Sequence, residues 1–192
     1  MIRILLALGI VSVCTGSIAE DAGTMLPSPD YTRGKEDPDW LAYAARFHGH
    51  LGPWATAGIR LGIAGRRAVD AHGYFDVNVT CKGPFDKPPK SCFLDGVQVA
   101  TGATWGKRNI HWVPGEHVAV RIKNTRTGKT ACVRPTDNLM EVLRSLEMQA
   151  RAETADHDHH DDHADNPVEA LARRVATLPD AEILTVARPS AE

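Results

Sequence analysis

Two short stretches hold most of the side chains able to do chemistry. The first is Phe47–Pro53, FHGHLGP, with His48 and His50 on either side of Gly49. The second is Ser91–Ile110, SCFLDGVQVATGATWGKRNI, which carries Cys92, Asp95, Gln98, Thr101, Thr104 and Lys107 among glycines. Neutral imidazole is a common ligand for zinc, nickel, copper or iron. Two histidines at i and i+2 cannot share a helix face. They converge only where the backbone bends between them, and glycine permits that bend. The plain alternative is a helix-ending turn with two solvated histidines.

Cys92 opens a run of helical periodicity. A thiol there lies near the positive end of the helix dipole, which favours thiolate, the form that binds a metal or attacks an electrophile. Cys92 is therefore a candidate metal ligand beside His48 and His50, and equally a candidate catalytic nucleophile. Cys81 competes for it. A Cys81–Cys92 disulfide across the proline-stiffened loop KGPFDKPPK would stabilise the chain by roughly 3 kcal/mol. Cys132, between Ala131 and Val133, reads as a buried, inert thiol.

Asp95 and Gln98 are spaced to hydrogen-bond a histidine ligand from behind. Thr101, Thr104 and Lys107 follow as a loop of hydroxyls and one cation suited to a small anionic ligand, a phosphate or carboxylate. The spacing is not that of a phosphate-binding P-loop, and a tight turn with an exposed lysine is the alternative. A fourth group is His157, His159, His160 and His163 among aspartates. Such a tract binds divalent metals loosely, with affinity falling as pH drops, or serves only as a solvated linker.

The elements that must position these groups follow from periodicity and turn residues. Asp37-Pro38 predicts a helix start, with the acid as cap, and Gly49 its end. Gly52-Pro53 opens a second helix, about 54–71, in which Gly58, Gly62 and Gly65 predict close approach of another backbone. Residues 74–80 alternate as a strand with Phe75, Val77 and Val79 on one face. A helix over 92–100, broken at Thr101-Gly102, precedes strands at about 109–113, 116–123 and 129–133. Asn138 with Glu141 predicts a capped helix with Leu139, Val142, Leu143 and Leu146 inward. Residues 153–165 are low complexity. Asn166-Pro167 restarts a helix, and 182–187 reads as a final strand. The expectation is one α+β domain, with a mostly antiparallel sheet packed with helices.

The chain has 192 residues, 43% of them apolar, enough for one ordinary core. Its net charge of −2 leaves no footprint for nucleic acid. Residues 1–19 read as an export signal: Arg3, then the apolar run Ile4–Val13, then Ser17-Ile18-Ala19 before Glu20. Cleavage there predicts a periplasmic or secreted chain with no membrane segment, beginning with a flexible lead-in over 20–36. The domain then spans 37–186, and 187–192 are a tail. Cys81, Cys92 and Cys132 remain, an odd number, so at least one thiol lacks a partner within the chain.

FHGHLGPWATAGIRLG followed by CFLDGVQVATGATWGKRNI resembles the formylmethanofuran dehydrogenase E-subunit (FmdE) family, as does the late segment LARRVATLPDAEILTV. The resemblance implies an α+β domain that pairs into an intertwined homodimer. It also implies a cleft lined by the histidine motif and the cysteine, with a bound metal in some members. Carried over residue by residue, it points to His48, His50, Cys92, Asp95, Gln98, Thr101, Gly102, Thr104, Gly106 and Lys107. Many members have a cysteine before the proline of the first motif, where this chain has Gly52. The expected function is an exported metal-binding domain, holding a divalent transition metal, zinc ahead of nickel, copper or iron. The rivals are a thiol- or metal-dependent enzyme acting on a small anionic substrate, and a non-catalytic partner of a redox complex.

Overall fold

Glycines set how closely the helices of this chain approach each other. In the computed structural model, which describes residues 26–153 and 167–187, helix α1 spans Asp39–His48, α2 Pro53–Ala68 and α3 Cys92–Thr101. A Cβ placed on Gly58 of α2 would fall 2.1 Å from the Phe93 carbonyl oxygen, and one on Gly96 of α3 only 1.9 Å from that of Ala55. The two helices therefore pack backbone to backbone. Gly62 makes room for the Ala100 methyl, while Gly65 faces Ile122 and Val133 of the sheet. Each glycine costs a helix about 1 kcal/mol against alanine. The tight seam offsets that cost by close packing on both sides.

The sheet has five strands: β1 Val77–Lys82, β2 Ile110–Val113, β3 Ala119–Asn124, β4 Thr130–Pro135 and β5 Leu184–Ala187. Their order is β2-β1-β3-β4-β5. Only β1 and β2 run parallel; the other pairs are antiparallel. Parallel neighbours need a crossover, and α3 lies in that crossover, which carries Cys92 onto α2. Val77, Val79 and Cys81 of β1, Val120 and Ile122 of β3, and Ala131 and Val133 of β4 turn inward to the core. Phe85, in the loop before α3, is buried there too and stacks on Phe93 at 4.9 Å. The fold is α+β, one domain with a mostly antiparallel sheet.

The later helices are α4 Asp137–Glu153, α5 Pro167–Thr177 and the short α6 Asp180–Ile183. Leu139, Val142 and Leu143 form the buried stripe of α4; the side chain of Leu146 lies outside the described part. Arg60 of α2 ties α5 down. Its guanidinium donates to the carbonyls of Val175 (2.9 Å), Ala176 (2.7 Å) and Leu178 (2.6 Å), and pairs with Asp180 at 2.7 Å. It thus satisfies the carbonyls that a helix C-terminus leaves open.

Several local expectations change. Tyr74–Asp76 is a 3-10 turn, not the start of a strand, and Phe75 is exposed. Gly73 and Tyr74 both take positive φ, and the Asn109 amide holds the Tyr74 and Val77 carbonyls, so the alternation begins only at Val77. Thr136, not Asn138, caps α4, accepting from the Leu139 N–H at 3.2 Å. Asp37 caps nothing at α1. Cys132 is half-buried, because the β4 alternation that buries Ala131 and Val133 sends it to the other face. The expected export signal and the histidines of the 153–165 tract lie outside the described residues. Among those described, no helix is long and apolar enough to cross a membrane.

Candidate metal centre

His48 is the last residue of α1. Gly49 follows with φ 97°, a left-handed cap whose N–H returns to the Ala45 carbonyl. This turn is open to glycine and strained for other residues, and it folds His50 back beside His48. The two rings lie 4.6 Å apart between centroids and are tilted by 45°. Leu51 is buried and anchors the turn from below. Asp30 of the lead-in straps it from above, donating its N–H to the Gly49 carbonyl at 2.6 Å.

The strap is held in turn by Asp37. Its carboxylate accepts from Tyr31 Oη (2.8 Å), Gly34 N (2.8 Å) and Arg173 Nε (3.1 Å). Burial alone would raise the Asp37 carboxyl, but these bonds outweigh it and hold the group below its usual range. Arg173 also pairs with Glu169 one turn earlier on α5. None of Arg173, Glu169 or Asp30 stood out in the sequence as part of a site. The i, i+4 spacing of Glu169 and Arg173 was the one local signal.

Cys92 and Asp95 stand at i and i+3 on the first turn of α3 and so share a face. That face meets His48. Asp95 Oδ2 lies 2.7 Å from His48 Nδ1, and Gln98 steadies the other Asp95 oxygen at 3.4 Å. The Asp95 hydrogen bond, followed by the influence of the Cys92 thiol, raises the His48 pKa to about 9 against the pull of burial. His50 moves the other way. Desolvation and then the charge of His48 lower its pKa, while Asp30 and Glu169 oppose the shift.

With Nδ1 engaged, His48 presents Nε2. That atom is buried and has no hydrogen-bond partner; the side chain is only 10% exposed. Burying a polar nitrogen unpaired costs about 1–3 kcal/mol, which a ligand at that point would relieve. An imidazole tethered through one nitrogen to a carboxylate, with the other free, is the usual arrangement around a metal. His48, His50 and Cys92 are donors of the kind that a soft or borderline divalent ion takes, but among the described residues no group of three or more His, Cys, Asp and Glu is placed to hold a metal ion.

The remaining sequence candidates go elsewhere. Cys81 and Cys92 are both free thiols, so no disulfide joins them. Cys81 is in the core, where burial pushes its pKa up to about 12. Thr101 is buried; its hydroxyl donates to the Val97 carbonyl and accepts from Ala103 N–H. Thr104 Oγ1 takes both the backbone N–H and the ammonium of Lys107 at 3.3 Å, and that ammonium also sits over the Tyr74 and Phe75 rings. This loop lies at the opposite end of α3 from Cys92, about 13 Å along the helix axis.

A family model described as FmdE, molybdenum formylmethanofuran dehydrogenase operon, matches residues 47–185. The chain belongs to the FmdE family. The match begins one residue before His48 and takes in α2, α3, strands β1 to β4 and the start of β5, leaving the strap outside it. A crystal structure of a tungsten formylmethanofuran dehydrogenase E-subunit (FmdE)-like protein from Syntrophus aciditrophicus has a similar fold. The TM-score is 0.51 at 15% identity, over 84% of this chain and 78% of that one. No curated protein matches the chain.

Proposed function

We propose that this FmdE-family chain is an exported metal-binding domain that holds a divalent transition ion, zinc ahead of nickel, copper or iron, through His48, His50 and Cys92. Asp95, steadied by Gln98, orients His48 from behind. The observation that carries the reading is the buried, partnerless Nε2 of His48, with a second imidazole beside it and Cys92 acting on the same ring. The His/Asp tract serves as a loose collector for the same ion. It rejoins the chain at α5, whose Glu169 carboxylate is felt at His50. The homodimer, and the periplasmic or secreted location, complete the proposal and rest on the family resemblance and the Arg3-led signal. The Thr104–Lys107 loop is proposed as a contact for a small anionic ligand at the far end of α3.

The test is equilibrium dialysis with metal analysis on a chain lacking 155–163, beside H48A, H50A and C92S variants. The parent retains zinc, nickel, copper or iron stoichiometrically, and each substitution releases it. A parent that retains none of the four ions overturns the core site.

A second reading has its own support. Asp95 on His48 Nδ1 and a Cys92 thiol that raises the His48 pKa supply the members of an acid–base–thiol relay, which suits a thiol nucleophile acting on a small anionic substrate once Cys92 Sγ turns to Nε2. His50 separates the two readings. It is needed for a metal and idle in a relay, so alkylation of Cys92 that depends on His48 but not on His50, without metal uptake, would favour the thiol enzyme.

A further inference from the structure

We infer that one end of the sheet, where Tyr74, Phe75, Trp105, Lys107 and Arg108 come together at the surface, docks on an anionic lipid surface. The inference rests on the reading of the Thr104–Lys107 loop as an anion contact and names the source of the anion, the phosphate of a lipid headgroup.

Strands β1 and β2 run parallel, so the turn leading into one and the loop leading into the other lie at the same end of the sheet. The turn presents Phe75, 75% exposed, and Tyr74, 56% exposed; the loop presents Trp105, 65% exposed. The backbone holds these rings outward at a cost. Tyr74 and Arg108 take φ 56° and 57°, a left-handed conformation that bulky side chains rarely adopt and that strained functional segments often use. Three hydrogen bonds pin the turn. The Asn109 amide donates to the Tyr74 carbonyl at 2.6 Å, the Thr125 hydroxyl to that of Phe75 at 3.2 Å, and the Thr125 N–H to that of Asp76 at 2.8 Å. The Tyr74 ring lies against Gly102, where a Cβ would fall 2.6 Å from it.

The charge beside the rings is one-sided. The Lys107 ammonium stands 5.9 Å from the Tyr74 centroid and 5.8 Å from that of Phe75, and its hydrogen bond goes to the Thr104 hydroxyl. Neither Lys107 nor Arg108 has a carboxylate partner among the described residues. On the outer face of the sheet, strand register sets Lys123 opposite Asn78 and Thr130, and Arg121 opposite Thr80 and Cys132. No acid faces either cation, and both are exposed. The acids at this end, Asp76 and Asp70, are already paired with Arg126 and Lys129. A chain of net charge −2 thus gathers unmatched cations beside its exposed rings. Trp and Tyr with Lys and Arg are the residues that settle at the headgroup level of a bilayer, the rings against the upper acyl chains and the cations on phosphate. The cations are spread over the loop and β3, which suits a surface of many interchangeable phosphates better than one fixed carboxylate.

Co-sedimentation with vesicles reads the docking. The chain used lacks residues 1–19, whose apolar run would itself take to lipid; every described element lies beyond them. It is expected to sediment with phosphatidylglycerol in phosphatidylcholine, not with phosphatidylcholine alone, and to be released by salt. F75A/W105A is expected to weaken binding about tenfold or more, and K107A and R108A about fivefold each. Lipid brominated on its acyl chains is expected to quench the parent's tryptophan fluorescence, and W105F to lose that quenching. Glycerol phosphate free in solution separates the two readings. Binding of it that K107A abolishes, with vesicles ignored, overturns the lipid surface and leaves the anion contact. Binding of neither overturns both. Vesicle binding untouched by F75A/W105A overturns the surface, as does a dimer that ignores vesicles and that F75A/W105A dissociates. Capture by immobilised polyglutamate, with vesicles ignored, makes the occupant an acidic protein and overturns it too.

Discussion

His48 and Asp95 meet at 2.7 Å although they stand 47 positions apart in the chain. The contact joins the last residue of α1 to the first turn of α3, and it exists because Gly58 and Gly96 let α3 sink onto α2. Helix packing, imidazole orientation and candidate ligand chemistry are thus one structural unit.

Asp95 holds His48 by a hydrogen bond that fixes which nitrogen faces the site. D95N keeps the shape but can offer His48 Nδ1 an amide donor in place of an acceptor. Metal affinity is expected to fall by about 10–100-fold, the usual loss when the partner behind a histidine ligand is changed. Competition against a chromophoric chelator measures it, and unchanged affinity would remove Asp95 from the site.

The metal-free protein should lose stability as alkali is added. His48 is raised from an ordinary 6.5 to about 9, first by Asp95 and then by Cys92. A raised folded-state pKa contributes stability that is complete below 6.5 and lost as pH climbs through about 9. Asp95 is 39% exposed, so solvent screening brings the loss to on the order of 1–3 kcal/mol. Urea unfolding at pH 6.5 and pH 9 reads this difference, and D95N should shrink it. Stopping at pH 9 keeps Cys81 protonated in the folded state, since burial pushes it up to about 12. Equal stability at both pH values would contradict the His48–Asp95 pair.

Gly58→Ala and Gly96→Ala test the helix seam. Propensity alone predicts a gain of about 1 kcal/mol for each. The added methyl would meet a backbone oxygen at 2.1 Å or 1.9 Å, and overpacking of this kind costs about 1–3 kcal/mol or more. Clash wins, so both variants should melt earlier and bind metal less well. Gly106→Ala, whose Cβ would meet only Thr104 Oγ1 at 3.9 Å, should stay within about 0.5 kcal/mol of the parent. Chemical denaturation of the three variants separates these outcomes.

Thiol chemistry should sort the cysteines by place. In a chain without residues 1–19, Cys92 and Cys132 are half-buried and Cys81 is in the core. An aromatic disulfide reagent should titrate Cys92 and Cys132 in the native, metal-free protein and reach Cys81 only on unfolding. Reductant should make no difference. A requirement for reductant before Cys92 reacts would mean that it is oxidised in solution, against the free thiols of the structure.

The sequence by itself determined what depends on a few neighbouring residues. Gly49 and Gly102 stop α1 and α3, Cys92 opens α3 with Asp95 three places on, and Gly58 and Gly62 announce a close helix partner. Each is a matter of local sterics or periodicity, readable within one or two turns. Alternation misled where backbone geometry intervened: positive φ at Gly73 and Tyr74 turned Phe75 outward, and Cys132 fell on the opposite face from its neighbours. Only the tertiary structure decided that Asp95 reaches His48, that Arg60 closes the end of α5, and that Arg173 locks the strap over Gly49. Those contacts depend on how deeply α3 beds into α2 and where the β1–β2 crossover delivers it, distances summed over the whole fold that no single segment contains.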